Sequence, residues 1–107
     1  MNLNDLLEFI KLEDKRLKKN HENYSDQEKR ILARTVKLSE EVGELCNEVL
    51  LFNAMQRKDK QNDYDGKNLP NEIADVLIVT LLLAHAMNVD VEKALESKIE
   101  KINKRYK

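Results

Sequence analysis

The chain has 107 residues, of which 41% are hydrophobic and 36% are charged. This length predicts one domain, residues 1–107, with a modest core. The charge is too high for a membrane protein, and the apolar content is too high for wholesale disorder. Nineteen basic against twenty acidic residues leave a net charge of −1, so no global field attracts nucleic acid. We therefore expect neither a membrane nor a nucleic acid polymer as a partner.

Glycine and proline, which often interrupt helices, are rare in this chain. Two Gly and one Pro favour long helices over a sheet. The single cysteine, Cys46, cannot form an internal disulfide, which fits a reducing compartment. Residues 1–19 carry charge throughout, so no signal peptide is predicted there. The expected location is cytoplasmic.

Hydrophobic spacing predicts four helices. The first is capped by Asn2 or Asn4 and has an apolar stripe formed by Leu3, Leu6, Leu7, Ile10 and Leu17. The second begins at Ser25, which forms a predicted capping box with Glu28, and continues to about Arg57. Its apolar seam repeats every seven residues, with two valines interleaved: Ile31, Leu38, Val42, Leu45, Val49 and Phe52.

Acidic residues accompany this seam. Glu41, Glu44 and Glu48 are predicted to flank it rather than to occupy it. Gly43 lies among them, although glycine inside a helix costs about 1 kcal/mol relative to alanine. Close approach of another helix or of a ligand would explain Gly43, and so would simple tolerance.

Residues 58–67 are polar and predict a mobile loop. The third helix begins near Asn68 or Asn71, with Pro70 tolerated near its first turn. From Ile73 to Met87 it is apolar on nearly every side, but this run of about fifteen residues is shorter than the roughly twenty that span a bilayer. Because one protomer could hardly cover such a helix, we expect a homodimer or a homotetramer, joined through apolar helix faces.

The fourth helix is capped by Asp90 and has one apolar stripe, made by Val91, Leu95, Ile99, Ile102 and Tyr106. Lys98 and Arg105 share a neighbouring face, and Lys101 lies about 60° away. Composition favours a solvated basic helix end. The alternative is a site for bound polyphosphate.

Two pairs of acids predict a metal site. Glu41 and Glu44 are one helical turn apart, and so are Glu72 and Asp75. Two such helices packed face to face would bring four carboxylates together, and these would repel one another without a cation. Mg²⁺ and Mn²⁺ favour oxygen ligands. Either motif alone is explained by a solvated face or by the helix dipole, but the combination beside apolar runs favours a metal.

The same motifs resemble a known family. The order EExxE, a gap of 27 residues (45–71) and ExxD is similar to the all-α nucleotide pyrophosphohydrolases of the MazG type. Residues 38–45 (LSEEVGEL) resemble the family's L-x-E-E-x-G-E-L, and residues 72–77 (EIADVL) resemble E-[IL]-[AG]-D-[LV]-L. Residues 89–106 are similar to a basic closing helix. The resemblance covers about residues 31–106 and implies a four-helix bundle-type protomer.

It also implies an activity, the hydrolysis of a (deoxy)nucleoside triphosphate to the monophosphate and pyrophosphate by metal-activated water. The implied ligands of Mg²⁺, for which Mn²⁺ could substitute, are Glu41, Glu44, Glu72 and Asp75. Glu40 lies 100° from Glu41, so it is better placed to orient water or a second metal, and these two are the candidate catalytic residues. The implied contacts to the β- and γ-phosphates are Lys98, Lys101 and Arg105. Lys37 could do the same or pair with Glu41, and pairing is favoured.

Other functions stay open. A related enzyme, such as a dUTPase-like protein or a phosphoribosyl-ATP pyrophosphohydrolase, would share the metals but not the base pocket. A non-catalytic helical dimer would carry the acids only as a solvated face. The first helix and residues 58–67 match no family motif, so the base, the sugar and a role in clearing non-standard nucleotides are left undetermined.

Overall fold

The computed structural model describes residues 1–62 and 64–106, apart from the side chain of Asn23, and each regular element in them is helical. The helices are α1 (Leu3–Asn20), a 3-10 turn (Glu22–Tyr24), α2 (Gln27–Phe52), α3 (Lys58–Gln61), α4 (Leu69–Ala86) and α5 (Val91–Lys104). The all-α class and the four predicted long helices are confirmed. Asp63 of the predicted mobile loop and Lys107 of the predicted domain lie outside the described residues.

Short polar side chains fix where the helices begin. Asn2 accepts from the backbone N–H of Asp5, whose carboxylate accepts from the Asn2 N–H, so the two form a capping box. Asp90 caps α5 as predicted. The cap of α2 is Asp26 rather than the predicted Ser25, whose hydroxyl instead donates to the Glu22 carbonyl within the 3-10 turn. The turn thus moves the start of α2 by one residue.

The segment between α2 and α4 differs from the prediction in where it starts and in containing a short helix. Helix α2 ends at Phe52 rather than near Arg57, and Ala54 follows with a positive φ of 54°. The Met55 N–H then donates to the Leu50 carbonyl, as in a helix-terminating Schellman turn. The predicted loop contains the one-turn helix α3, so it is not wholly irregular.

Helices α2 and α4 form the main packed layer and run antiparallel. The contacts between them show this direction, because residue numbers increase along α2 while those of their partners at α4 decrease. The pairs are Arg34 with Leu82, Glu41 with Asp75, and Glu48 with Asn68. Helix α1 packs on α4, and the 3-10 turn contacts both α1 and α2. The fully buried hydrophobic side chains among the described residues are Ile10, Leu82 and Ala86. A core this small leaves much apolar surface uncovered.

Helix α4 has 18 residues, and its start at Leu69 agrees with the predicted start near Asn68 or Asn71. The predicted apolar run of about fifteen residues leaves out its first turn. By length and composition alone the helix could cross a membrane. Its packing against α2 and α1 is instead that of the central helix of a bundle. Ile73 and Leu77 remain exposed on its outer side, so one protomer does not cover it on every side.

Helix α5 projects away from this layer. Val91 is half-buried, whereas each residue from Glu92 to Tyr106 is exposed. The radius of gyration of 17.0 Å exceeds the roughly 13 Å expected of a compact chain of this length. The direction of α5 is set by a tight turn, in which Asn88 has a φ of 58° and the Val89 N–H donates to the Ala84 carbonyl.

Candidate metal centre

The face of α2 that packs against α4 carries buried charge. Arg34, Glu41 and Glu48 are buried and recur every seven residues, so they lie on one side of the helix. The sequence placed Glu41 and Glu48 beside the apolar seam, but they lie within the helix interface, and Val42 and Val49 are exposed. Burial of charge at the contact with α4 requires compensation from α4 or from a ligand.

The first turns of α4 supply the opposing acids. Pro70 lies at the start of the helix, where its missing N–H costs nothing. Glu72 lies in the first turn, and Asp75 lies one turn later. Glu41, Glu72 and Asp75 each offer a carboxylate oxygen, and these oxygens all lie within 4.8 Å of one another. The structure therefore brings together acids that are about thirty residues apart in sequence.

A second group adjoins the first. Glu40, Glu41 and Glu44 also place carboxylate oxygens within 4.8 Å of one another, and both Glu40 and Glu44 are exposed. Glu41 belongs to both groups. The EExxE and ExxD motifs therefore form one continuous acidic surface, the carboxylate cluster, made of Glu40, Glu41, Glu44, Glu72 and Asp75.

The carboxylate cluster is electrostatically uncompensated on its α4 side. Glu41 is only 7% exposed, and its Oε2 has no hydrogen-bond partner among the described residues. The Oε2 of Glu72 is shielded and lacks a partner there as well. Partial burial, followed by repulsion from Glu44, Asp75 and Glu41, raises the pKa of Glu72 above its usual value. Each of these features costs free energy that a bound cation would recover.

Lys37 forms ion pairs with two acids of the carboxylate cluster. Its Nζ lies 3.2 Å from Glu40 Oε1 and 3.3 Å from Glu41 Oε1, one turn along α2. Hydrogen bonds to Glu40 and then to Glu41 raise the pKa of Lys37 above its ordinary value. The structure thus shows the favoured pairing with Glu41 and adds Glu40 as a partner. The opposite side of the carboxylate cluster receives no such help from Lys37.

A groove of about 500 Å³ opens from the carboxylate cluster. Its lining residues are acids, amides and one glycine: Glu40, Gly43, Glu44, Asn47, Glu48, Asn68 and Glu72. A Cβ added at Gly43 would meet nothing within 4 Å, so no other helix of the protomer requires glycine there. Of the predicted explanations, close approach of another helix is not found among the described residues of one chain. Glycine keeps this wall of the groove open, which leaves approach of a ligand or tolerance.

The predicted phosphate contacts lie elsewhere. Lys98, Lys101 and Arg105 follow the exposed arm of α5 and its end, and they form no ion pair or side-chain hydrogen bond with the described residues of the same protomer. The structure of one protomer therefore does not bring them to the carboxylate cluster. A composition-based interpretation, a solvated basic helix end, describes them within a single chain.

One buried cluster was not predicted from the sequence. Arg34 donates from Nη2 to Asp14 Oδ1 at 2.8 Å and from Nη1 to the Leu82 carbonyl at 2.9 Å. Lys18 and His85 approach the other Asp14 oxygen, at 3.0 and 3.4 Å. A signal existed, because Asp14 falls between Ile10 and Leu17 in the apolar stripe of α1. His85 is half-buried here.

The one anion of this second cluster, Asp14, has cationic partners on both of its oxygens. Burial raises the pKa of the Asp14 carboxyl, but hydrogen bonds from Arg34 and Lys18 outweigh it and leave the pKa below the usual value. We call Asp14, Lys18, Arg34 and His85 the ion-pair network. It joins α1, α2 and α4, and it holds Glu41 in register with α4 one to two turns further along α2.

The carboxylate cluster fits a hard divalent cation. Its donors are all carboxylate oxygens and come from both motifs. One oxygen of Glu41 and one of Glu72 have no hydrogen-bond partner in the described part of the chain. Glu41, Glu72 and Asp75 could hold one ion, and Glu40, Glu41 and Glu44 could hold a second. An ion here would oppose the mutual repulsion that raises the pKa of Glu72.

Comparisons with known proteins agree with this chemistry. The "Uncharacterized protein YpjD" of Bacillus subtilis (strain 168) is 37% identical over 76 residues, which cover 71% of this chain and 67% of that protein. No solved structure matches the chain significantly. The sequence model of the MazG nucleotide pyrophosphohydrolase domain matches residues 29–107, which include both acidic motifs and α5. The match also indicates a soluble protein. This chain belongs to the MazG nucleotide pyrophosphohydrolase domain family.

Proposed function

We propose that the protein is an Mg²⁺-dependent nucleoside triphosphate pyrophosphohydrolase that converts a (deoxy)nucleoside triphosphate to the monophosphate and pyrophosphate. One observation carries the proposal: Glu41, Glu72 and Asp75, from two separate motifs, place carboxylate oxygens within 4.8 Å of one another. Family membership supports the same reaction class.

The metal ligands in this proposal are Glu41, Glu44, Glu72 and Asp75. Bound there, Mg²⁺, or Mn²⁺ in its place, would clamp phosphate oxygens, lower the pKa of water and offset charge on the leaving group. The exposed Glu40 lies at the groove, and Lys37 holds one of its oxygens. Its other oxygen would accept a hydrogen bond from the attacking water and take the proton. The water oxygen then bonds to the α-phosphorus, the α–β bridging bond breaks, and pyrophosphate leaves.

We propose that the β- and γ-phosphates contact Lys98, Lys101 and Arg105 of a second protomer. Within one protomer these cations do not reach the carboxylate cluster, and α5 is an exposed arm whose apolar stripe includes Leu95 and Ile99. A homodimer or a homotetramer would cover that stripe together with the exposed side of α4. Arginine would bind phosphate through its bidentate fork, and lysine as a point charge.

The remaining parts of the proposal are coarser. The single domain of residues 1–107 would act in the cytoplasm and could serve to remove non-standard nucleotides. A dUTPase-like or phosphoribosyl-ATP pyrophosphohydrolase activity would use the same carboxylate cluster with another substrate. A non-catalytic helical dimer is disfavoured because the shielded oxygens of Glu41 and Glu72 would remain uncompensated.

The decisive experiment measures pyrophosphate release with and without Mg²⁺ over ribo-, deoxy- and modified triphosphates and phosphoribosyl-ATP. We expect Mg²⁺-dependent release of pyrophosphate, which Glu44→Gln and Asp75→Asn abolish while the helical content is retained. Orthophosphate as the product, or metal-independent release that both variants keep, would refute the proposal. Absence of turnover on every substrate together with absence of Mg²⁺ binding would favour the helical dimer.

A further inference from the structure

A second cavity lies behind the groove, between the end of α2 and the segment that contains α3. It measures about 350 Å³, at the small end of ligand pockets. Its lining residues are Glu48, Leu51, Lys60, Tyr64, Asp65, Lys67 and Asn68. Glu48 and Asn68 also line the groove that opens from the carboxylate cluster. One ligand could therefore occupy both spaces, with its ends on opposite sides of these two residues.

Glu48 is unusual among the acids of this region. It is 9% exposed, and its Oε2 is shielded from solvent without a partner among the described residues. The other oxygen, Oε1, accepts from the Asn68 amide at 3.5 Å, the limit for a hydrogen bond. Asn68 is exposed, so a rotation of its amide would uncover the carboxylate. A buried carboxylate so weakly bonded lacks its intended donor.

Tyr64, which lines the same cavity, also has a polar group without a partner among the described residues. Its hydroxyl is shielded and has no partner among residues 1–62 and 64–106. Two unpartnered polar groups thus line one cavity, and Leu51 adds an apolar side. The rest of the lining is mainly polar, so hydrogen bonds to these two groups, beside Leu51 and the ring of Tyr64, would hold a small organic ligand here.

The chemistry excludes two simpler ligands. Glu48 belongs to neither carboxylate group that could hold a metal, and Lys60 and Lys67 line its cavity, which disfavours a divalent cation. A phosphate would be repelled by Glu48 and Asp65. The missing partner of Glu48 is therefore an uncharged hydrogen-bond donor.

We propose that this cavity receives the nucleobase, with Glu48 accepting hydrogen bonds from its Watson–Crick edge, and that guanine fits it best. The inference rests on the proposed function for the position of the triphosphate at the carboxylate cluster. Guanine presents adjacent N1–H and N2–H₂ donors to both carboxylate oxygens, once Asn68 has turned aside. Uracil and thymine place carbonyl oxygens on either side of one N–H, and these would oppose the carboxylate.

The test has a binding arm that needs no turnover. Titration of the metal-free protein with GMP and with UMP should give preferential GMP binding, about 10- to 100-fold, as expected for hydrogen bonds to a charged group. Glu48→Gln should remove most of this preference, and Tyr64→Phe should weaken GMP binding while leaving helical content unchanged. Glu28→Gln, an exposed acid in the first turn of the same helix, should behave as wild type.

The second arm compares kcat/KM for dGTP and dUTP in Mg²⁺. The ratio should favour dGTP in wild type and collapse in Glu48→Gln, with the Mg²⁺ dependence retained. A ratio that Glu48→Gln and Tyr64→Phe leave unchanged would overturn the base site while the pyrophosphohydrolase stands. Selective GMP binding without any pyrophosphate release would support the base site and refute the proposed function. A changed oligomeric mass in Glu48→Gln, with base preference intact, would place Glu48 at a subunit contact and overturn the base site.

Discussion

Two clusters of charge lie along the same α2–α4 interface, and they are treated differently. In the ion-pair network, both oxygens of Asp14 have cationic partners, and Arg34 also bonds to the Leu82 carbonyl. In the carboxylate cluster, Glu41 and Glu72 each keep a shielded oxygen without a partner in the described part of the chain. Charges that are paired within the protein hold the helices in register, whereas buried charges without a partner indicate a site for a ligand.

The largest expected effect comes from removing the anion of the ion-pair network. Asp14→Asn leaves the guanidinium of Arg34 buried without its counter-charge, and we expect a loss of about 3–5 kcal/mol in the free energy of unfolding. Urea or thermal unfolding followed by circular dichroism measures it. Glu8→Gln, an exposed ion pair on the same helix, is the matched control and should change stability by less than about 0.5 kcal/mol. Equal, small effects in both variants would show that the network does not hold α1 in place.

The second prediction concerns a substitution in the carboxylate cluster. Asp75→Asn should lower the rate of pyrophosphate release by at least about 100-fold, because a charged carboxylate ligand becomes a neutral amide. The metal-free variant should be as stable as wild type or more stable, since a repelling charge has been removed. Glu96→Gln, an exposed acid on α5, controls for charge. Turnover close to wild type would remove Asp75 from the metal site.

The third prediction measures compensation directly. Mg²⁺ at about 100 times its dissociation constant should raise the stability of wild type by about 2.7 kcal/mol. Asp75→Asn should gain much less, whereas Asp14→Asn should gain about as much as wild type from its lower starting point. Differential scanning calorimetry over a range of Mg²⁺ concentrations measures these shifts. An equal gain in Asp75→Asn would mean that the cation binds elsewhere.

The fourth prediction uses pH, and the two clusters should respond with opposite signs. The folded-state pKa of Asp14 is lowered, so its contribution is complete above the ordinary aspartate pKa of 3.8 and is lost as the pH falls below it. The folded-state pKa of Glu72 is raised, so the metal-free protein should lose stability as the pH rises above 4.5. Unfolding curves of Asp14→Asn and Glu72→Gln should each lack one of these slopes. If a variant keeps the pH dependence attributed to the residue that it lacks, another group causes that dependence.

The smallest effect concerns the cation between the clusters. Lys37→Gln removes two half-exposed ion pairs and should change stability by less than about 1 kcal/mol. Because Lys37 competes with a bound cation for Glu40 and Glu41, the variant should bind Mg²⁺ more tightly by a few-fold. Isothermal titration calorimetry tests this. Weaker Mg²⁺ binding would instead mean that Lys37 positions the carboxylates.

Local patterns predicted the helices because each depends on neighbouring residues. The seam of α2, the caps Asn2 and Asp90, and the acid pairs one turn apart were all visible in sequence. The cap of α2 was misplaced because the 3-10 turn uses Ser25 for its own hydrogen bond. A one-residue shift of this kind is beyond a capping rule that considers only residue types and spacing.

Long-range partners were harder to predict. The match of Asp14 with Arg34 joins residues twenty apart on different helices, and only the interrupted stripe of α1 hinted at it. Glu41 and Glu48 were placed at the edge of the seam, since acids are rarely buried, whereas the packing of α4 buries both. In the proposed assembly, whether Lys98, Lys101 and Arg105 reach a carboxylate cluster would depend on how protomers meet, which hydrophobic periodicity does not determine.

The turn at Asn88 has a consequence for the α5 arm. Because the Val89 N–H donates to the Ala84 carbonyl, α5 leaves α4 at a defined angle and extends roughly 21 Å at 1.5 Å per residue. An arm aimed in this way is preorganised to reach a neighbour rather than to fold back on its own chain. If its cations complete the neighbour's catalytic site, dilution alone would switch the enzyme off, and specific activity would rise with protein concentration until assembly is complete.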